Sequence, residues 1–551
     1  MFKKTDDSVQ FNLFSDPKDL LNEKSRKKFS DPGAWHNLFR NHVLSGIEED
    51  QFRPLYTQVM GAPNSSIKLL IGMMIIKESL QCSDKQLFEQ CEFNLLVRSA
   101  LGLMNIDDPL PAESTYYLLR KRIYTFNRQT GEDLFAKVFQ GITSMQVKEF
   151  EVNGSRIRMD SKLIGSNIAW YTRYELIHQS IRQFYHDIPS DALNKKMNRK
   201  DRAALQELLR EEGSKVVYRC TKSELNQRMQ SFGLLIYRLL KIFKQNPHYE
   251  ALSRVFEEQY KSGDGLIQIR DKEEISADSV QSPNDLDCSY RDKDGQMVKG
   301  YSINITETCS DNQLNLITDI KTVKVNTPDT AFLIEAVEAT STVTGQTVNK
   351  IHSDGAYHSP TNSGFCSRND IDMVLTGIQG IQGRYDLNPI PNGLQVIDTL
   401  TGELIEAHRS TYSKDEKWWI KIESGYRYFT QKDITNSLIR KKLKNRTLEE
   451  LQRRNNVEAT IFQLCFFTRN NKTRYRGLPN HQVWAYCRAL AINLVRIKNY
   501  IETIHQRTYN AFFALIRETF SPFKIKIYQT LLLQKRHFEL NLNKYQNNYL
   551  I

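Results

Sequence analysis

The chain has 551 residues, of which 40% are apolar and 25% charged, and it carries a net charge of +12 at pH 7. This is a globular composition with material for about two to four domains, and no apolar run approaches the ~18 to 20 residues of a membrane helix, which excludes a helical span. The excess of cations points to a polyanionic partner, nucleic acid first, without choosing DNA over RNA.

The N-terminal Met1-Phe2-Lys3-Lys4 lacks the apolar segment of a signal peptide, so the protein is expected to stay in the cytoplasm. Eight cysteines include no Cys-x-x-Cys pair and no His at finger spacing. That argues against a zinc site and fits reduced thiols.

Residues 1 to about 30 read as a polar, loosely held arm. From Asp31 to about Arg128 the period is helical. Pro63-Asn64-Ser65-Ser66 offers caps for an apolar helix, Ile67 to Leu80, and Ser83-Asp84-Lys85-Gln86 resembles the capping box of the next one. After Pro109 and Pro111, a helix from Tyr116 to Phe126 carries Arg120, Lys121 and Arg122. A short turn into a basic helix is the form of a helix-turn-helix DNA reader; a bundle helix with a solvated basic face is the alternative.

Ile157 to Asp160 alternates with the period of a half-buried strand, which sets Asp160 on the face opposite Ile157 and Met159. Taken alone, an Asp between Arg158 and Lys162 is an ordinary surface charge. Ala169 to about Tyr260 is helical and reads as an insertion. Strands return from Ser276: Gly300 to Thr308 alternates, Asn315 to Val325 follows, and the two make a hairpin. Thr327-Pro328-Asp329 caps a helix from Thr330 to about Ser341. Val348 to Asp354 is a short buried strand broken by Gly355, and Ile371 to Leu375 is another.

Gly377 to about Thr430 is rich in Gly, Pro, Tyr and Trp and reads as a small inserted sheet, in which Trp418-Trp419 could stack on a base or pack in a core. The chain is then basic and helical from Lys432. Arg440, Lys441, Lys442 and Lys444 offer a phosphate track, and a helix from Leu448 to Cys465 carries Arg453, Arg454 and Glu458. Tyr357 and His358, just past Asp354, are either DNA contacts or packing residues.

Asp160 and Asp354 thus lie on strands and Glu458 on a later helix. That succession is the one of an RNase H-like core, where the first and fourth strands are neighbours and a later helix packs across them. Three carboxylates at one address repel each other unless a cation is present. Two hard divalent ions, Mg²⁺ or Mn²⁺, ~3.5 to 4 Å apart would relieve that repulsion and clamp the attacking and leaving oxygens of a phosphodiester. Arg454, one turn before Glu458, can reach a neighbouring phosphate with its planar fork.

The runs Ile157 to Lys162, Asp285 to Tyr301, His352 to Tyr357 and Arg454 to Phe462 together resemble a DDE transposase of a bacterial insertion sequence, as does Arg474-Tyr475-Arg476-Gly477 with Ala491 to Leu494. The resemblance implies an α/β fold: an RNase H-like mixed sheet core over residues 151–500, interrupted by a helical insertion at about 169–270 and a β-rich insertion at about 377–430. It also implies an N-terminal all-helical domain over residues 1–150 that binds DNA and dimerises, and a helical tail over residues 501–551. Carried over, it makes Asp160, Asp354 and Glu458 the catalytic, metal-binding triad for two Mg²⁺, with element ends and target DNA as double-stranded partners of a homodimer in a bacterial nucleoid, and neither a membrane nor a small-molecule substrate. Arg454 is the arginine of the signature around the Glu, and Arg453, Arg440, Lys441, Lys442, Lys444, Arg120 and Arg122 are the expected DNA contacts. Leu451 and Cys465 stand where fuller forms of that signature have Tyr and Lys, a role that Lys472 or Arg469 could take. An inactive DNA-binding descendant, or a nuclease without strand joining, are the competing functions.

Overall fold

A computed structural model describes residues 1–5, 16–57, 61–263, 266–293, 295–378, 383–391, 393–410 and 417–519. The Asn/Tyr-rich end and most of the C-terminal tail lie outside the described residues. No helix among those described is long and apolar enough to cross a membrane.

Helix α1, Ile67–Leu80, has the expected bounds, and the Ser66 hydroxyl accepts from the Leu69 N–H at 3.1 Å to cap it. The capping box at Ser83 forms, with Gln86 N–H donating to the Ser83 hydroxyl and Ser83 N–H to the Gln86 amide oxygen. α1 is apolar on all sides: Ile67, Leu70, Ile71, Met73, Ile75 and Ile76 are each at most 1% exposed. Such a helix needs neighbours all round. α2, Glu113–Thr130, and α3, Leu134–Glu149, provide some of them.

The central sheet begins with β1, Arg156–Gly165, and continues with β2, Ser289–Lys293, β3, Gln296–Thr308, and β4, Ile317–Lys324. Helix α4, Leu333–Thr344, leads to β5, Lys350–Ser353, and then β6, Asp372–Leu375. The strand order is β2-β3-β1-β5-β6, with β4 also on β3. β1 is antiparallel to β3, and β5 and β6 run parallel to β1. The result is a mixed sheet. The helix expected at Thr330 begins instead at Leu333, after a short turn at Asp329–Ala331, because the Asp329 carboxylate accepts from the Ser161 hydroxyl rather than capping.

The segment between β1 and β2 is a lobe of six helices, Arg173–His186 to Tyr249–Gln259, closed by the ribbon Tyr260–Gly263 and Leu266–Ile269. It has its own core around Ile177, Phe184, Ile236 and Leu252. After β6 comes a five-stranded antiparallel meander, Tyr385–Ile390 to Gly425–Thr430, which α5, Gln431–Lys444, covers with Ile434. Trp418 packs on that small core while Trp419 lies on the other face with His408 and Tyr426, as strand alternation requires. α6, Leu448–Gln452, and α7, Asn455–Cys465, precede α8, Leu478–Thr519.

Two expected boundaries are not boundaries of packing. The N-terminal helices share one hydrophobic core with the sheet: Ile71 and Phe135 belong to the same cluster as Ile303, Ile305, Ile461 and Leu490. An ion pair in which Arg474 Nη2 donates to both carboxylate oxygens of the buried Glu78, at 3.0 and 3.1 Å, closes the same junction. At the other end α8 runs without a break through residue 500. The short turn of a helix-turn-helix is also absent before α2, which twelve residues separate from the preceding helix, Leu95–Ala100.

Candidate functional site

Ile157 and Met159 are fully buried against Phe332 and Leu333 of the α4 side, which leaves Arg158 and Asp160 on the opposite face of β1. β1 and β5 pair in register, Arg156 with Lys350, Ile157 with Ile351 and Arg158 with His352. Two residues past that last pair stand Asp160, still within β1, and Asp354, the first residue after β5, which keeps an extended backbone, φ −74° and ψ 159°. The two acids therefore stand at the ends of neighbouring parallel segments, near enough for the charge of Asp354 to act on Asp160. Asp160 accepts from the Ser161 N–H at 2.9 Å and Asp354 from the Gly355 N–H at 2.5 Å. Gly355 cannot be larger: a Cβ there would lie 2.1 Å from the Gly377 carbonyl oxygen.

Glu458 comes from α7, which packs across β1 and β3. The single helix expected from Leu448 to Cys465 is interrupted at Arg453 and Arg454. Asn455 and Asn456 are weak helix formers, and the Arg453 carbonyl accepts from the Arg158 guanidinium at 3.4 Å. Arg454 thereby sits at the start of α7, and its guanidinium spans the acids: 2.6 Å to Asp160 and 3.2 Å to Glu458. Its Nε is buried without a partner. Burial raises the Asp160 carboxyl above its ordinary value against the opposing pull of Arg454 and the Ser161 N–H, and the charge of Asp354 raises it further.

The donor types suit a hard divalent ion: carboxylate oxygens and no soft ligand. As placed, however, no three His, Cys, Asp or Glu side chains among the described residues are grouped to hold a metal, and Arg454 supplies the countercharge. The Glu458 side chain is 59% exposed, so its rotamer is open to change.

A residue the sequence reading passed over holds α7 in place. Glu307 on β3 is fully buried and lies opposite Arg158 in the strand register. Its carboxylate accepts from Arg158 at 2.5 Å, from the Thr460 hydroxyl at 2.7 Å and from Arg496 of α8 at 2.7 Å. Thr460 is two residues past Glu458. A Glu inside the otherwise buried alternation of Gly300 to Thr308 was the available signal, since an acid on a core-facing position needs cations.

The other candidate side chains divide. Arg453 is tied to Asp311 and Glu449, both at 2.8 Å, and Arg120 pairs with Asp84 at 3.6 Å. Arg122 lies over the Tyr56 ring, and Lys441 donates to Asn388. Lys442 and Lys444 are exposed on α5, with Arg440 half-buried beside them. Tyr357 is fully buried and donates to Asn304 at 2.6 Å, so it packs rather than faces DNA, while His358 is half-buried. Leu451 and Cys465 are half-buried, Lys472 donates to the Ile168 carbonyl at 2.7 Å, and Arg469 is exposed.

Residues 28–122 match a family model described as a transposase domain, DUF772. No curated protein matches the chain. Among solved structures, the chain has a likeness to a piggyBac transposase synaptic complex with hairpin DNA, at 9% identity and a TM-score of 0.27 over 91% of this chain and 84% of that one. The matched N-terminal segment includes α1 and the start of α2, the helices that share their core with the sheet.

Proposed function

We propose that the chain is a DNA transposase of the DDE type, with an RNase H-like catalytic sheet. The observation that carries this reading is the nearness of Asp160 on β1 and Asp354 directly after the adjacent parallel β5, with Glu458 brought in on a crossing helix and joined to Asp160 through Arg454. The transposase-domain match over residues 28–122 supports it. So does the strand order, β2, β3 and β1 antiparallel and then β5 and β6 parallel to β1, with Asp160 on β1 and Asp354 directly after β5.

In this reading Asp160 and Asp354 would hold Mg²⁺ or Mn²⁺, with Glu458 completing the set once it leaves Arg454. The ions would supply Lewis acidity at the scissile phosphate and lower the pKa of an attacking water or 3′-hydroxyl. Arg454, released from the acids, is placed to reach a phosphate oxygen with its planar fork. Arg158, Glu307 and Thr460 hold the backbone from which Glu458 projects. Lys442 and Lys444 present charge along α5 for the flanking duplex, and pairing of two element ends calls for a dimer on DNA.

The test uses purified full-length protein, DNA carrying an element end, and Mg²⁺ or Mn²⁺. Wild type is expected to cut and to join the 3′-hydroxyl end to a second duplex; Asp160→Ala, Asp354→Ala and Glu458→Ala are each expected to bind without cutting. Binding without cutting by the wild type in either metal would establish an inactive DNA-binding protein instead, and cutting without joining would establish a nuclease.

A further inference from the structure

Pairing of β1 with β5 stops at Arg158; beyond it β1 keeps β3 on one edge and meets the segment Asn471 to Thr473 at Gly165 on the other. A groove of about 640 Å³ opens there and is lined by Ser161 and Lys162, the two residues that follow Asp160. Four further cations line it: Arg291 and Lys293 from β2, Lys299 from β3, and Lys472. Asp329 is the one acid among the described lining residues, and it is taken up by the Ser161 hydroxyl. None of the five cations forms an ion pair among the described residues. Lys299 and Lys472 donate to the carbonyls of Tyr171 and Ile168, and Arg291 reaches those of Val325 and Thr327.

At the rim stands Trp170, 54% exposed, with the Lys299 ammonium 5.6 Å from its ring centre. The part of the indole left exposed is an aromatic face at the edge of a run of cations, the pairing of stacking platform and charge that binds single strands. Lys162 lies on the same face of β1 as Asp160, one pleat further on, so the groove begins where the acids end.

We infer that this groove takes an unpaired DNA strand leaving the three-carboxylate site, with its phosphates on Lys162, Lys293 and their neighbours and one base stacked on Trp170. The inference rests on the transposase reading for DNA as the substrate, and on the groove itself for the strandedness. Cations along a track bind phosphates of any nucleic acid. An exposed aromatic face can take a base only where that base has left its pair, as at a frayed or cleaved end.

The experiment measures binding of full-length protein to a labelled single-stranded DNA of ~16 nucleotides, and to a duplex, across a salt series. Lys293→Ala is expected to lower the slope of log affinity against log salt by ~0.7 for the single strand. Trp170→Ala is expected to weaken single-strand binding roughly fivefold or more while Trp170→Phe retains most of it. Duplex binding should stay as in wild type for both. Variants that hold the single strand as tightly as wild type would overturn the groove assignment, as would an equal loss on duplex. In either case cutting of duplex ends by the wild type would leave the transposase reading standing, whereas a wild type that neither binds nor cuts duplex would remove that reading itself.

Discussion

Glu307→Ala tests whether the buried network holds the helix that carries Glu458. The carboxylate is fully buried and takes three donors, two of them guanidinium groups at 2.5 and 2.7 Å. Its removal takes the carboxylate from Arg158 and Arg496 and leaves them only neutral acceptors, and breaking a buried pair from one side costs ~3 to 5 kcal/mol. Thr460→Val removes one hydroxyl, which donates to Glu307 at 2.7 Å and accepts from Arg496 at 2.5 Å, but leaves both guanidinium–carboxylate contacts of Glu307 in place; a hydrogen bond to a charged group is worth ~1.5 to 3 kcal/mol. Urea titrations of both variants should therefore rank Glu307→Ala as the more destabilised. Below the unfolding transition both should cut DNA more slowly than wild type, since α7 has lost its tie to the sheet. If Glu307→Ala costs less than ~1 kcal/mol, or less than Thr460→Val does, the network does not do what its geometry indicates.

Asp160 makes a prediction of sign. Its native carboxyl titrates above the ordinary value, so the native state holds the proton to higher pH than the unfolded chain does, and stability present below the unfolded value, ~3.9, is lost as pH rises through the native one. Asp160→Asn, which cannot ionise, should show a shallower decline of urea midpoint from about pH 4 upward, and a decline as steep as wild type would refute the assignment. Gly355→Ala should destabilise by ~1 to 3 kcal/mol, because its methyl meets the Gly377 carbonyl oxygen at 2.1 Å; a thermal midpoint equal to wild type would show that the Gly377 loop gives way freely. Tyr357→Phe should lose ~1 kcal/mol with the Asn304 hydrogen bond and leave DNA affinity untouched. A folded Tyr357→Phe with weakened DNA binding would return that residue to the interface.

What could be read from residues alone was what is local. The alternation of Ile157 to Asp160 placed the acid on the correct face of β1, and Ser66 marked the start of α1 because a cap acts within three residues. The turn to strands after Ser276 and the inserted sheet were legible from composition. What stayed hidden depends on distant partners. Nothing near Glu307 announces Arg496, 189 residues away, and nothing near Arg474 announces Glu78, 396 residues back. The break at Arg453 follows from a donor on β1, and Arg120 and Arg453 looked available for phosphate only because Asp84 and Asp311 were not known to be beside them.

The common interior of the N-terminal helices and the central sheet bears on how the protein can be taken apart. A cut near residue 150 would strip Ile71 and Phe135 from Ile305 and Leu490 and leave an oily face on each fragment. The N-terminal piece is thus a poor candidate for an autonomous DNA reader, and a shift in α1 on engaging DNA would be transmitted through contacting side chains to the layer beneath Asp160. The helical lobe, with its separate interior, is the part that could be trimmed away without that penalty.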